Sequence, residues 1–131
     1  MRRGPFSLAL LILSMTAPAV AAPMPDPAKV ADAQAGLADY HDVLSDIPCD
    51  VPSLTAHRLM CDNDALWQMG LLDSWAWIYA TEDDTEADHE TPIWDETFIE
   101  ERDSCADEPC LVKVLIRHTN DSLGDTSPYR E

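Results

Sequence analysis

Glycine is scarce in this chain, with 4 in 131 residues, and positive charge is outnumbered, with 8 Lys and Arg against 25 Asp and Glu. So little glycine leaves no loop to cradle a phosphate, and neither a Gly-x-Ser-x-Gly elbow nor a His-Glu-x-x-His pair is present. No enzyme activity and no cofactor are therefore expected. The formal net charge of −17 repels nucleic acid and anionic membrane. No apolar run reaches the ~18 residues needed to span a bilayer. Strand-like alternation and internal repeats are also missing, which leaves helices as the expected building material.

What is present begins with a secretory signal over residues 1–21. Arg2 and Arg3 form its positive end, Phe6 to Met15 a short apolar run, and Ala19-Val-Ala21 a small-residue cleavage site. No cysteine stands at that site, so no lipid anchor is expected and the localisation is periplasmic or secreted. The mature chain, roughly 110 residues from near Ala22, is one small domain. Loss of Arg2 and Arg3 leaves 8 − 2 = 6 Lys and Arg against 25 acids, a formal charge of −19. Such a field favours a cationic protein or metal ions, although solubility alone also accounts for it.

Four cysteines in a short exported chain point to two disulfides among Cys49, Cys61, Cys105 and Cys110. The competing arrangement, a four-thiolate zinc site, lacks any Cys-x-x-Cys pair and suits a reducing compartment. Local pairing, Cys49–Cys61 with Cys105–Cys110, is the expectation, worth about 2–4 kcal/mol per bridge on the chain-entropy model. Cys61–Cys105 with Cys49–Cys110 stays open, because an antiparallel hairpin brings the start of one helix near the end of the next.

Three helices are readable. Residues 22–48 form an N-terminal arm in which Pro23, Pro25 and Pro27 bar a regular start; Lys29 to Asp46 is weakly helical or mobile, with Val30, Leu37, Tyr40 and Val43 as its large apolar groups. The first firm helix, residues 56–80, is capped by Ser53 or Thr55. Ala65, Met69, Leu72, Ala76 and Tyr79 follow helical spacing as a core face, with Trp75 on its border. Trp67, Leu71 and Ile78 make a second apolar strip, either packed under the arm or another helix or exposed to a partner or a second copy. Thr91-Pro92 opens the next helix, which runs to about Ser104 and buries Ile93, Trp94, Phe98 and Ile99. Asp107 or Glu108 caps the last, with Leu111, Val114, Leu115 and His118 inward and Gly124 as its stop. A frayed tail over 125–131 follows.

Thr81 to Glu90 carries six acids in ten residues, Glu82, Asp83, Asp84, Glu86, Asp88 and Glu90, beside His89. It lacks EF-hand glycine and ligand spacing, so no metal site is expected. A solvated loop is the plain reading. A cationic partner, which needs no coordination geometry, is the functional one. Arg102-Asp103 is either a contact pair or a structural one that satisfies helix-end carbonyls or a buried acid.

Cys49, eleven intervening residues, Cys61, an amphipathic helix and then Phe98-Ile99, Arg102-Asp103, Cys105 and Cys110-Leu111 resemble the LprI-like lysozyme-inhibitor family. The resemblance covers about Cys49 to Leu123. His57 stands near a position where the family tends to carry Glu, Gly70 replaces an Asp, and Leu115 and His118 stand where Tyr and Arg are usual. The resemblance implies an inhibitor of a cationic lysozyme-like muramidase, residues 49–124 forming the four-cysteine domain. The fold expected is all-α: a helical hairpin plus a third helix, stapled by two disulfides. The partner-binding candidates are Trp67, Leu71, Ile78, Asp83, Asp84, Glu86, Arg102 and Asp103. The alternative is an envelope scaffold that self-associates through its tryptophan-bearing helix.

Overall fold

The computed structural model describes residues 24–82 and 93–130. The expected signal segment, the acidic residues Asp83, Asp84 and Glu86, and the expected helix start at Thr91-Pro92 lie outside the described residues. Within them the protein is all-helical, with five α-helices and no strand: α1 (Pro27–Ala35), α2 (Thr55–Asp62), α3 (Asp64–Thr81), α4 (Glu96–Asp103) and α5 (Glu108–Leu123).

Helix α3 is the centre, with α1, α2 and above all α5 packed on it. That explains its composition, since a helix covered from several sides is apolar nearly all round. Polar contacts fix the directions. His57 at the start of α2 meets Asp103 at the end of α4, and Trp77 Nε1 donates to the Ile93 carbonyl at 2.8 Å, so α4 runs antiparallel to α2–α3. Asn63 donates to Glu108 and Asp73 meets His118, so α5 runs parallel to α3. The expected hairpin plus third helix is therefore an up-down-up bundle, with α1 added on one side.

Several boundaries differ from expectation. The helix expected over 56–80 is two helices, because Asn63 takes extended dihedrals (φ −123°, ψ 108°) and caps α3 by accepting from Leu66 N. Its short amide serves better at an N-cap than inside a helix. Ser53 and Thr55 cap nothing; Leu54 occupies that position without a side-chain bond. Ile93 and Trp94 precede α4 instead of starting it, and Asp95 is its N-cap, accepting from Phe98 N at 3.3 Å. Asp107 caps α5, and Gly124 ends it at φ 59°, where a side chain would be strained.

The arm is ordered. Asp26 caps α1, and Val30, Leu37, Tyr40, Val43 and Ile47 are all buried in the common core. Trp75 holds the arm further by donating from Nε1 to the Val43 carbonyl and stacking on His41. Proline at the first helical position starts α1 where the three prolines were expected to prevent a helix. The tail packs too: Gly124–Thr126 forms a 3-10 turn, Ser127 is buried, and Tyr129 lies against the core. Tyr79, expected inside, is 51% exposed and meets Tyr40 edge-on. At Gly70 a Cβ would meet Met60 Cε at 2.5 Å, a contact that a shift of the flexible methionine end would relieve.

The disulfides are Cys49–Cys61 and Cys105–Cys110, the local pairing, with no free cysteine. The start of α2 does lie near the end of α4, as the rival connectivity required. The bridges nonetheless close within their own segments.

Candidate functional site

The polar centre is built around Phe98, on the inner face of α4. One turn later the same face carries Arg102, which is 4% exposed. Its guanidinium donates from Nη1 and Nη2 to the two Asp46 oxygens, at 2.9 and 2.7 Å, and from Nε to Asp103 Oδ1 at 3.0 Å. Asp103 Oδ1 also accepts from His57 Nε2 at 3.0 Å. This bidentate fork is the geometry for which arginine is suited and lysine is not. Burial opposes the Asp46 charge, but the Arg102 bonds outweigh it and hold the Asp46 pKa below its ordinary value.

A second acid–base–acid group packs on Phe98 as well. The Phe98 and His118 rings stack with centroids 3.8 Å apart and planes 9° from parallel, and Trp77 stacks on His118 at 5.2 Å. His118 Nδ1 faces both oxygens of Asp73, at 2.8 and 2.9 Å, and Nε2 faces Asp95 Oδ2 at 3.0 Å. Thr119 adds a hydroxyl donor to Asp73. Burial works against a charged ring, yet two carboxylate partners outweigh it and raise the His118 pKa. Burial likewise pushes the Asp73 carboxyl up, so the pair shares a proton that neither gives up easily.

Each group sets two acids against one central cation, a formal charge of −1 counted without His57. That sum holds whether the shared proton sits on His118 or on Asp73. Neither ring nitrogen of His118 is free to take a proton from a substrate, and no thiol is reduced. Among the described residues no group of three or more His, Cys, Asp and Glu is arranged to hold a metal ion. The arrangement locks α2, α3, α4, α5 and the arm together.

The expected site residues separate. Arg102 and Asp103 meet in the first triad as a structural pair, so Arg102 is not available as a contact. Ile78 is 4% exposed and belongs to the core, which removes it from the surface strip. Trp67 and Leu71 are half-buried beside Ser45 and Ile47, under the end of the arm, around a crevice of about 10 Å³. Their packing there is the consequence of an ordered arm.

Asp46, Asp73 and Asp95 escaped the sequence reading. Asp73 left a usable signal: it lies on the same face as Met69, Leu72 and Ala76, and an acid on a core face demands a partner. His118 on the Leu111, Val114 and Leu115 face is the complementary oddity. Asp46 gave no such sign, because its partner comes from 56 residues away. Comparison with family models, with curated proteins and with solved structures finds no match to this chain.

Proposed function

We propose that this is an exported acidic protein that acts by binding a cationic partner, and that the partner is a lysozyme-like muramidase. The observation that carries the reading is the charge imbalance on a disulfide-stapled frame: a formal net charge of −17 with two bridges and no free thiol. Part of the little positive charge is also spent internally. Arg102 is sealed against Asp46 and Asp103, and Arg117 pairs with Glu101. The family resemblance supplies the identity of the partner, and the signal segment with the disulfides supports a periplasmic or extracellular site of action. Among the described residues no helix is long and apolar enough to cross a membrane.

A turbidity assay with purified mature protein and a cationic lysozyme tests the reading. Inhibition at micromolar excess in low salt is expected, weakening as salt screens the attraction. Undiminished lysis under those conditions overturns it. A second reading, an envelope scaffold that self-associates, is favoured by Leu44 and Val51, which are 82% and 78% exposed. Sedimentation that shows a monomer at every concentration ends that reading.

A further inference from the structure

We propose that His118 and Asp95 form a pH-sensitive latch on the entry to α4. When the proton shared by His118 and Asp73 passes to solvent, Asp95 turns outward and residues 93–95 come away from Trp77, while the rest of the bundle stays closed. The latch belongs to the chain alone and holds whatever the partner is.

The latch follows from a count of donors. A ring with both protons donates from Nδ1 to Asp73 at 2.8 Å and from Nε2 to Asp95 at 3.0 Å. With one of those protons on Asp73, Nδ1 accepts instead and Nε2 still donates, so every group stays satisfied. A neutral ring between two ionised acids has one N–H and one lone pair. One carboxylate then faces a lone pair at hydrogen-bond distance, where burial denies it a replacement donor.

Which acid gives way depends on how each is held. The Asp73 side chain is 3% exposed, sits in the middle of α3 and accepts from the Thr119 hydroxyl, so water reaches it only if α3 moves. The Asp95 side chain is 27% exposed and stands ahead of α4 on extended backbone, so it regains water by a local turn. Its departure weakens the cap on Phe98 N and draws off the Ile93 carbonyl, to which Trp77 Nε1 donates. The far end of α4 does not follow, because Arg102 ties it to Asp46 and the Cys105–Cys110 bridge closes just beyond it. A local opening of this kind costs less than global unfolding.

Other charges reach the ring from the elements packed on it. Asp46 from the arm and Arg102 from α4 line the same gap as His118, but they are paired with each other and their fields largely cancel. Asp103 and His57 lie beyond Arg102. Tyr129, from the tail, is pushed up by burial and by the Asp73 charge, so it stays neutral. Asp73 and Asp95 therefore dominate, in line with the raised His118 pKa. The closed form binds the proton more tightly than the open form, which has lost Asp95. Opening then grows with pH, up to about tenfold per unit, between the ring's value in the open form and its higher value in the closed form.

NMR on the purified protein from about pH 5 to about pH 9 tests the latch. The His118 ring nitrogens report the titration, and hydrogen-exchange protection at the Trp77 indole N–H and the Phe98 amide, corrected for intrinsic exchange, reports the opening. Both protons should lose about tenfold in protection as the ring titrates, with the amides of buried Leu72 and Leu115 unchanged. Equal loss at all four sites is global unfolding and overturns the latch, as does no loss at Trp77 and Phe98 anywhere in the range. Asp95→Asn is the second arm: its amide both donates and accepts, so it satisfies the ring in either state and keeps the N-cap. The pH step in protection should vanish in that variant, and its persistence overturns the assignment to Asp95.

Discussion

The two triads around Phe98 have the same formal charge and opposite temperaments. In one, a cation that never titrates holds Asp46 and Asp103, whose side chains are 22% and 23% exposed. In the other, a histidine holds Asp73, whose side chain is 3% exposed. A carboxylate still touching water keeps part of its solvation, so a permanent ion pair is tolerable there. A carboxylate taken fully out of water is cheaper when its partner can share a proton than when both must stay charged. The two bases are equally buried, Arg102 4% and His118 6% exposed, so the difference lies in the acids: only the histidine faces a carboxylate sealed from water.

Breaking the outer triad is the largest single effect expected. Arg102→Met leaves Asp46 and Asp103 without their cation and should cost about 3–5 kcal/mol, read by urea unfolding. Adding Asp46→Asn and Asp103→Asn should recover much of that loss, because no uncompensated charge then remains. A cost below about 1 kcal/mol for the single change would show that the outer triad is ornamental.

How far the sequence told this in advance depends on whether the information was local. The Cys105–Cys110 corner, the Gly124 stop, the inward Phe98 and the inner face of α5 were readable because a few neighbouring residues determine each. Asn63 is local too, and an asparagine ahead of Asp64 could have been read as a cap; the apolar periodicity running through it hid the break. The arm was undecidable for another reason. Val30, Leu37, Tyr40 and Val43 become a core only when Trp75 and its neighbours on α3 are there to cover them. The Asp73–His118 pair needed both ends of a 45-residue separation to be seen together. The strip of Trp67, Leu71 and Ile78 was visible as apolar, but whether it met solvent or the arm turned on the arm's own fold.

His118→Gln should have the next largest effect. Glutamine can still donate to Asp73, but it carries no charge and does not stack on Phe98 and Trp77 as the imidazole does. A destabilisation of about 2 kcal/mol at neutral pH is expected in the same urea titration. The inner triad then differs from the outer in kind as well as size. Removal of both acids' charge, Asp73→Asn with Asp95→Asn, should not rescue the His118→Gln protein as fully as the outer triple rescues Arg102→Met. Asp95 also caps α4 through Phe98 N, and that bond would be weakened at the same time.

The smallest effects lie in pH dependence, and they separate the triads most sharply. The His118 pKa is raised in the folded protein, so its stabilisation is complete below the ordinary histidine value of 6.5 and is lost as pH rises through the folded value above that. Asp73, also raised, binds its proton more tightly when folded and bends the curve the same way. The Asp46 pKa is lowered, so its contribution is present above the ordinary carboxylate value of 3.8 and is lost as pH falls through the folded value below it. Thermal unfolding of the wild-type protein should therefore weaken on an acid limb set partly by the outer triad and on an alkaline limb set by the inner one. His118→Gln should flatten the alkaline limb and leave the acid limb in place. Asp46→Asn should flatten only the acid limb, with the midpoint near neutrality lowered by a few degrees. If both variants flatten the same limb, the triads titrate as one coupled network across Phe98, and the division of labour between arginine and histidine is wrong.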